Sequence, residues 1–425
     1  MKRMKLIVVG GVANAFEWYD YALFGHFITV LSVKFFPSGD PQAALLQTFL
    51  VFAVGYLVRP LGGVFFGIIG DKFGRKTALS SAIICMAFPT AVIGLLPSYE
   101  TLGIASTIMM VITRIIQGLS MGGALTGSIS FIIEHSNRNN RGLMSSITMS
   151  SICVGMLLGS LSSFLTKHMF SPENFLDYGW RIPFVIGVGV FLMGQYIKKY
   201  TQETPLFEES KYRGEIEKNP LSKAFQHHWF EMLISIFINA TGSIIFYMEA
   251  IYIASFLKVK RGFLELHVDY LINFCFVIMI FATIFAGWLA DRVDRRKIFV
   301  INIICVVIST PYLLNIFETA DFTSVIFAQI AIALMAAIYI GAEPALQAEL
   351  YVTSVRSTAL SISYNTATSI FGGTAPYILE SLFQKTGTIM SASYYIIPIS
   401  ILSLIALYYY RNNSLQDYQL DIENQ

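Results

Sequence analysis

The feature that most constrains this chain is a succession of apolar stretches, each about as long as a bilayer is thick. A helix needs roughly 20 apolar residues to cross the hydrocarbon core. Stretches of that order run over 9–33, 44–69, 78–97, 103–133, 142–166 and 180–198. Six more run over 229–256, 267–290, 297–316, 322–350, 357–384 and 391–410. The chain therefore reads as an all-α integral membrane protein with twelve transmembrane helices. Only 13% of its residues are charged and 55% are hydrophobic. Soluble domains carry about 25% charge, so a soluble globular fold is excluded. The first stretch follows Met1–Lys5 without a small-residue cleavage pattern, so it is a span and not a removed signal.

Between the sixth and seventh stretches lies a polar segment holding Lys199, Glu203, Glu208, Glu209, Lys211, Arg213, Glu215, Glu217 and Lys218. Each of those charges would cost several kcal/mol in lipid. The segment thus divides the chain into an N-terminal six-helix domain (1–199), a cytoplasmic linker (200–227) and a C-terminal six-helix domain with a short tail (228–425). Most of the 29 lysines and arginines fall in the loops on the linker's side. Both termini are accordingly expected in the cytoplasm. The net charge of +2 gives no reason to expect nucleic acid. Cys85, Cys153, Cys275 and Cys305 all sit in apolar runs, and none is paired by CxxC spacing. The histidines have no metal-ligand spacing either.

The loop after the second span reads Gly67-Ile-Ile-Gly-Asp71-Lys72-Phe-Gly74-Arg75-Lys76. The loop after the eighth reads Gly287-Trp-Leu-Ala-Asp291-Arg292-Val-Asp294-Arg295-Arg296. Recurrence of one loop at the same place in both halves is internal repetition, as expected of two-domain secondary transporters. An Asp at a helix end accepts backbone or side-chain hydrogen bonds. The basic residues stay in the headgroup layer and pair across helices. Asp71, Arg75, Lys76, Glu134 and Arg141, with Asp291, Arg295, Glu349 and Arg356, are expected to form a cytoplasmic conformational latch.

These residues resemble the signature of the major facilitator superfamily, in its metabolite:proton symporter branch. Further matching stretches are Asn14-Ala-Phe-Glu-Trp-Tyr-Asp20-Tyr, Arg59-Pro-Leu-Gly-Gly63, Arg114-Ile-Ile-Gln117-Gly118-Leu-Ser-Met-Gly122-Gly123, Asp177-Tyr-Gly-Trp-Arg181-Ile-Pro183-Phe and Glu203-Thr-Pro205. The resemblance implies two pseudo-symmetric six-helix bundles around a central site, and carriage of a small metabolite such as proline, betaine, citrate, 2-oxoglutarate or shikimate. The coupling ion it implies is H+, with no cofactor. It also implies a bacterial inner membrane, contact with lipid, and a monomer. The chain departs from the branch in three places. Ala124 stands where Glu is usual, Asp294 stands where Gly is usual, and only about 15 residues follow the last span.

Polar groups inside the spans are the best functional markers, because their desolvation must be compensated. In the first span Asn14, Glu17 and Asp20 share a helical face, with Tyr21 beside them. The i, i+3 spacing brings the two acids together, an arrangement suited to proton binding. The alternative is that they pair with Arg59 or Arg114 to hold helices together. In the fourth span Arg114 is suited to receive a substrate carboxylate, with Gln117 adding hydrogen bonds. Arg59, followed by Pro60, reads as architectural or gating. Glu249 in the seventh span is the acid expected to replace the one missing at Ala124, across the domain interface. Glu343-Pro344 is a second coupling candidate, and Asn365 and Thr368 line the path or fill a helix interface. His26 reads as ordinary packing.

No Walker loop, zincin motif or nucleophile elbow is present in adequate context, so an enzyme is not expected. The leading reading is a secondary active transporter that moves a proline- or betaine-like zwitterion or an organic acid by alternating access. A siderophore or metabolite exporter, and a transporter-like sensor without net transport, remain the alternatives.

Overall fold

The computed structural model describes residues 2–36 and 41–410. Met1, the side chains of Lys2, Arg3, Lys5 and Arg138, and the predicted tail with Arg411 lie outside the described residues. The described residues form helices and short connections, with no strand among them.

Each predicted span coincides with a helical segment. In the first half these are α1 (2–35, broken at Phe27), α2 (Pro41–Phe73), α3 (Arg75–Leu95), α4 (Ile104–His135), α5 (Arg141–Met169) and α6 (181–200, broken at Gly187). In the second half they are α7 (Trp229–Val259), α8 (Glu265–Ala290), α9 (Arg295–Thr319), α10 (Phe322–Ala348), α11 (356–386) and α12 (Ile389–Tyr409). Among the described residues nine helices are long and apolar enough to cross a membrane on length and composition alone. The other three are α1, α6 and α11. Two of them are interrupted, and α11 is rich in Ser, Thr and Asn. The polar segment between the halves forms two short helices, Pro205–Tyr212 and Pro220–His227. Thr204 and Asn219 cap them, and each has proline in its first turn, the usual start signal.

Two of these helices carry wide turns. α7 contains a π-helical turn over Met248–Tyr252, and α11 contains one over Thr368–Gly373. Such turns insert a residue into the ladder, free a carbonyl, and cluster at functional sites.

Within the first half α1 packs on α5, and α4 packs on both α2 and α3. Within the second, α8 packs on α10 and α7 on α12. The halves meet where α2 packs on α11 and where α5 packs on α8, two contacts related by the internal repeat. In lipid, helices gain little from apolar contact alone and associate by close packing of small residues. Gly63, Gly67 and Gly70 of α2 lie directly against Ser361, Thr358 and Ser357 of α11. Gly142 of α5 lies against Gly287 of α8. Within the first half, Gly118 and Gly122 of α4 lie against the α2 backbone at Gly55 and Arg59. Large apolar side chains such as Phe65, Phe88, Phe281, Ile308 and Phe327 point outward, forming the surface that lipid solvates.

Gly122→Val drives a side chain into the Arg59 carbonyl and the Gly63 amide. We expect it to cost about 1–3 kcal/mol and to lower the unfolding temperature in detergent. Gly25→Ala, where nothing lies within 4 Å, is the control and leaves the melting temperature unchanged or raised. Equal melting of the two variants would mean that α2 and α4 do not need this contact.

Candidate functional site

Helical phase sorts the buried polar residues into three groups. Glu17 and Asp20 lie one turn apart on α1 but face different helices. Asp20 faces α4, where Arg114 Nη1 stands 3.6 Å from its carboxylate. Gln117 bridges the pair: it accepts from Arg114 Nη1 at 2.7 Å, and its amide donates to Asp20 Oδ2 at 2.8 Å and to Thr90 at 3.0 Å. The Arg114 guanidinium also lies 3.4 Å above the Phe24 ring. Arg114 is thus engaged by an acid, an amide and an aromatic face of its own half.

Glu17 faces α2, with Arg59 at 3.6 Å. Arg59 Nε donates to Asn365 Oδ1 of α11 at 3.3 Å, and Asn365 donates back to the Gly122 and Ser361 carbonyls at 2.7 Å each. Asn14 ties α1 to α5 through the Thr148 carbonyl and the Ser151 hydroxyl.

Arg59 lines a cavity of about 30 Å³ between the halves. Trp18 of α1 and Met149 and Ile152 of α5 complete the first half's share. The second half contributes Gly242, Ser243, Phe246 and Tyr247 of α7, Ile340 and Glu343 of α10, and Tyr364 and Thr368 of α11. The aromatic rings continue across the midline. Trp18 meets Phe246 edge-on with centroids 5.4 Å apart, and Tyr21 meets Tyr56 at 5.3 Å. The Tyr247 hydroxyl donates to that of Tyr56 at 3.1 Å. A space of this size holds a water and no metabolite, so this conformation is closed around its center.

The third group lies in the second half. Gln347 donates to Glu343 at 2.6 Å and is itself held by the Ser235 hydroxyl at 2.7 Å. Glu249 sits in the π-helical turn of α7 and accepts from Gln329 of α10 at 3.2 Å.

Several expectations are redistributed by this geometry. Glu17 and Asp20 do not share one site, because each faces its own arginine. Arg59, expected to be architectural, lines the cavity, whereas Arg114 lies in an ion pair inside the first half. Glu249 hydrogen-bonds within the second half, to Gln329, and faces Cys153 of the first. Glu343 and Thr368 line the cavity; Asn365 orients Arg59, and Tyr21 meets Tyr56 edge-on. The wall aromatics Trp18 and Tyr364, and Tyr56 bonded to Tyr247 behind them, were not singled out by sequence. The one available signal was aromatic residues on the same helical faces as the polar ones.

At the helix ends nearest the segment between the halves, the repeated loops form two matching assemblies. Asp71, at the end of α2, accepts from the Ser357 and Thr358 amides at 3.2 and 2.8 Å and so caps the start of α11. Asp291, at the end of α8, accepts from the Gly142 and Leu143 amides at 2.7 and 2.8 Å and caps the start of α5. Each half therefore caps a helix of the other, placing a carboxylate on a positive helix end. Arg75 joins Asp71 and Glu134, and Arg356 joins Glu134 from the second half. Arg295 joins Asp291 and Glu349, with Arg141 4.0 Å from Glu349. Lys76 takes part through its backbone amide, which donates to Glu203 at 3.0 Å.

Glu203 and Thr204 extend the first assembly in a way the sequence reading did not assign. Thr204 donates to Glu134 at 2.7 Å, and Phe207 lies under Arg75. Gly74 has φ +106°, and a side chain there would meet the Glu203 carboxylate. The second loop needs no such glycine, because Asp294 has ordinary φ and caps α9 itself through the Arg296 amide.

Residues 6–232 match the family model described as sugar (and other) transporter, and residues 232–423 match that of the major facilitator superfamily. The chain is 31% identical over 415 residues to the proline/betaine transporter of Salmonella typhimurium, covering 95% of this chain and 82% of that one. It is 30% identical to the proline/betaine transporter of Escherichia coli over the same length and shares. Among solved structures it resembles the proton:xylose symporter XylE bound to 6-bromo-6-deoxy-D-glucose, with a TM-score of 0.77 and 16% identity over 96% of this chain and 94% of that one. A double-tryptophan variant of the same symporter gives a TM-score of 0.79 at 17% identity, over 96% and 95%. At these identities the likeness is one of fold.

If the two aspartate caps hold this end of the bundle shut, Asp71→Asn and Asp291→Asn each loosen it. A Ser361→Cys reporter, buried where α11 meets α2 and α4, then reacts about tenfold faster with a maleimide applied from the side of the caps, the ratio for about 1.4 kcal/mol lost from the latch. An unchanged labelling rate would show that the caps do not govern closure.

Proposed function

Since the chain belongs to the major facilitator superfamily and is a transporter, we propose that it is a proton-coupled symporter of a small zwitterion. The observation that carries this reading is the pairing of Arg59 and Glu343 on one aromatic-walled cavity between the halves. A carboxylate is the natural ligand of a guanidinium, bound through two parallel N–H donors. A cationic nitrogen suits the opposite end, where Glu343 supplies charge and the faces of Trp18, Phe246, Tyr247 and Tyr364 supply cation–π attraction. Quaternary ammonium groups favour such aromatic surroundings. The relatives from Salmonella typhimurium and Escherichia coli, which are proline/betaine transporters, agree with this class. A di- or tricarboxylate fits less well, because Glu343 would face its second negative group.

Transport follows an alternating-access cycle. Arg59 is already neutralised by Glu17 in the closed state, so an arriving carboxylate competes with an internal one instead of meeting a bare buried cation. The cavity must widen to admit substrate, and the two halves are joined at the cytoplasmic end by caps that break as units. Rocking of one half against the other then exposes the site on the other side. The protein works as a monomer in a bacterial inner membrane, with both termini in the cytoplasm and the latches on that face. The unit 200–227 links the six-helix domains 1–199 and 228–425.

In proteoliposomes, glycine betaine and proline are expected to be taken up and to compete with each other, while citrate, 2-oxoglutarate and shikimate do not compete. Arg59→Gln, made together with Glu17→Gln to avoid an orphaned acid, is expected to lower uptake about 10²-fold or more. Trp18→Ala is expected to raise KM for betaine more than for proline. Uptake of dicarboxylates with no response to zwitterions would sink the assignment.

A further inference from the structure

Seven acids are buried among the described residues: Glu17, Asp20, Asp71, Glu134, Glu249, Glu343 and Glu349. Five of them pair with arginine. Glu343 faces the cavity. Glu249 remains, fully buried, off the cavity and bonded only to an amide. Gln329 Nε2 donates both to Glu249 Oε1 at 3.2 Å and to the Glu249 carbonyl at 3.3 Å. That carbonyl belongs to the π-helical turn Met248–Tyr252, where the wide ladder frees it. Two oxygens of the pair are left without a hydrogen-bond partner, Glu249 Oε2 and Gln329 Oε1.

Both are acceptors as long as Glu249 is ionised, and one proton satisfies both. On Oε2 it donates to Gln329 Oε1, while Gln329 Nε2 donates to Oε1, closing the ring of a carboxylic acid and a carboxamide. A carboxylate here would be an uncompensated buried charge. The groups facing it from the packed elements are uncharged: Gln329 of α10, and the thiols Cys153 of α5 and Cys275 of α8. Glu380 of α11 faces Tyr252 in the same turn but is paired with Lys260.

We propose that Glu249 and Gln329 form a proton-binding pair that couples proton entry to movement of the cavity wall. The proton comes from water on the entry side and leaves to water on the exit side; between these events it rests on Glu249 Oε2. Its loss opens the acid–amide ring and leaves two acceptors, Glu249 Oε2 and Gln329 Oε1, facing each other, a repulsion relieved when Gln329 turns away and its amide lets go of the carbonyl in the wide turn. Tyr247, the residue before that turn, reaches Tyr56 of the other half and lies against Gly372 in the wide turn of α11. The residue that precedes one wide turn therefore packs on the other at the cavity wall, and the proton acts on the site through α7.

This inference rests on the symport reading, and the test separates the two. Intact protein in proteoliposomes is assayed with radiolabelled glycine betaine, both for exchange and for accumulation driven by an imposed pH gradient. Glu249→Gln is expected to retain exchange within about threefold and to lose accumulation by roughly tenfold or more. The swap Glu249→Gln with Gln329→Glu restores the acid–amide pair and recovers accumulation. In wild-type protein, infrared spectroscopy shows a neutral-carboxyl band that disappears in Glu249→Gln and weakens as pH is raised. Accumulation by Glu249→Gln equal to wild type would overturn the coupling role, as would loss of exchange that the swap does not restore. Absence of the infrared difference would overturn the pair itself. No accumulation by wild type under any gradient would sink the symport reading and the coupling role together, with the infrared band still deciding whether the pair exists.

Discussion

A carboxylate taken out of water loses solvation worth several kcal/mol, and the structure must return it through a cation, a dipole or a proton. That requirement organises the polar interior of this protein. In the first half each acid meets an arginine: Glu17 with Arg59, Asp20 with Arg114, Asp71 and Glu134 with Arg75. These pairs keep their charges and tie neighbouring helices together. In the second half Glu249 and Glu343 meet glutamines instead. An amide can hold either form of an acid, donating to it when ionised and accepting from it when neutral. The two halves thus share a fold but differ in the acids near their center, which are paired with arginine in the first half and with glutamine in the second.

The same accounting applies to the two capped assemblies that join the halves. An aspartate on a helix N-terminus contributes about 1 kcal/mol through its cap, and the surrounding arginines add charge-assisted bonds. The contacts that cross between halves are the two caps, Arg356 with Glu134 and Arg141 with Glu349, and they lie beside glycine-lined surfaces. The first assembly also holds the segment between the halves, through Glu203 and Thr204. Opening that side therefore releases more than two helices. The second assembly is simpler because Asp294 caps its own helix. The Gly-to-Asp departure noted in the sequence is a change of capping partner, with no loss of the loop's role.

Much of this was legible in the sequence. Length and apolarity place the spans, and the loop repeated after the second and eighth helices identifies the residues that meet where the halves cap one another. What sequence could not supply was helical phase. Spacing i, i+3 puts Glu17 and Asp20 near each other, but a few tens of degrees of rotation send one to α2 and the other to α4. For the same reason Arg59, beside a proline, looked structural, and Arg114, beside glycines, looked like a ligand site. Aromatics were harder still. Trp18 and Tyr247 at the center carry the same sequence signal as the many rings that face lipid, because in a membrane protein apolar residues lie on both sides of every helix. The π-helical turns leave no composition signal.

The position usually held by an acid in the fourth helix shows why the second half carries the titrating groups. Ala124 is buried in a small apolar cluster with Phe66 and Ala82. Arg75 and Glu134 already balance one another near the end of the same helix. A carboxylate at 124 would enter that cluster with no cation beside it, so an alanine there is what the packing permits. The first half is then left with arginine-paired acids only. On the proposed proton-coupled cycle the proton is held on the other side of the cavity, by acids whose partners accommodate the neutral form. Glu343 lies on the cavity directly from α10, and Glu249 connects to it through the turn that follows Tyr247. The cavity thus lies between arginine-paired acids of one half and amide-bonded acids of the other.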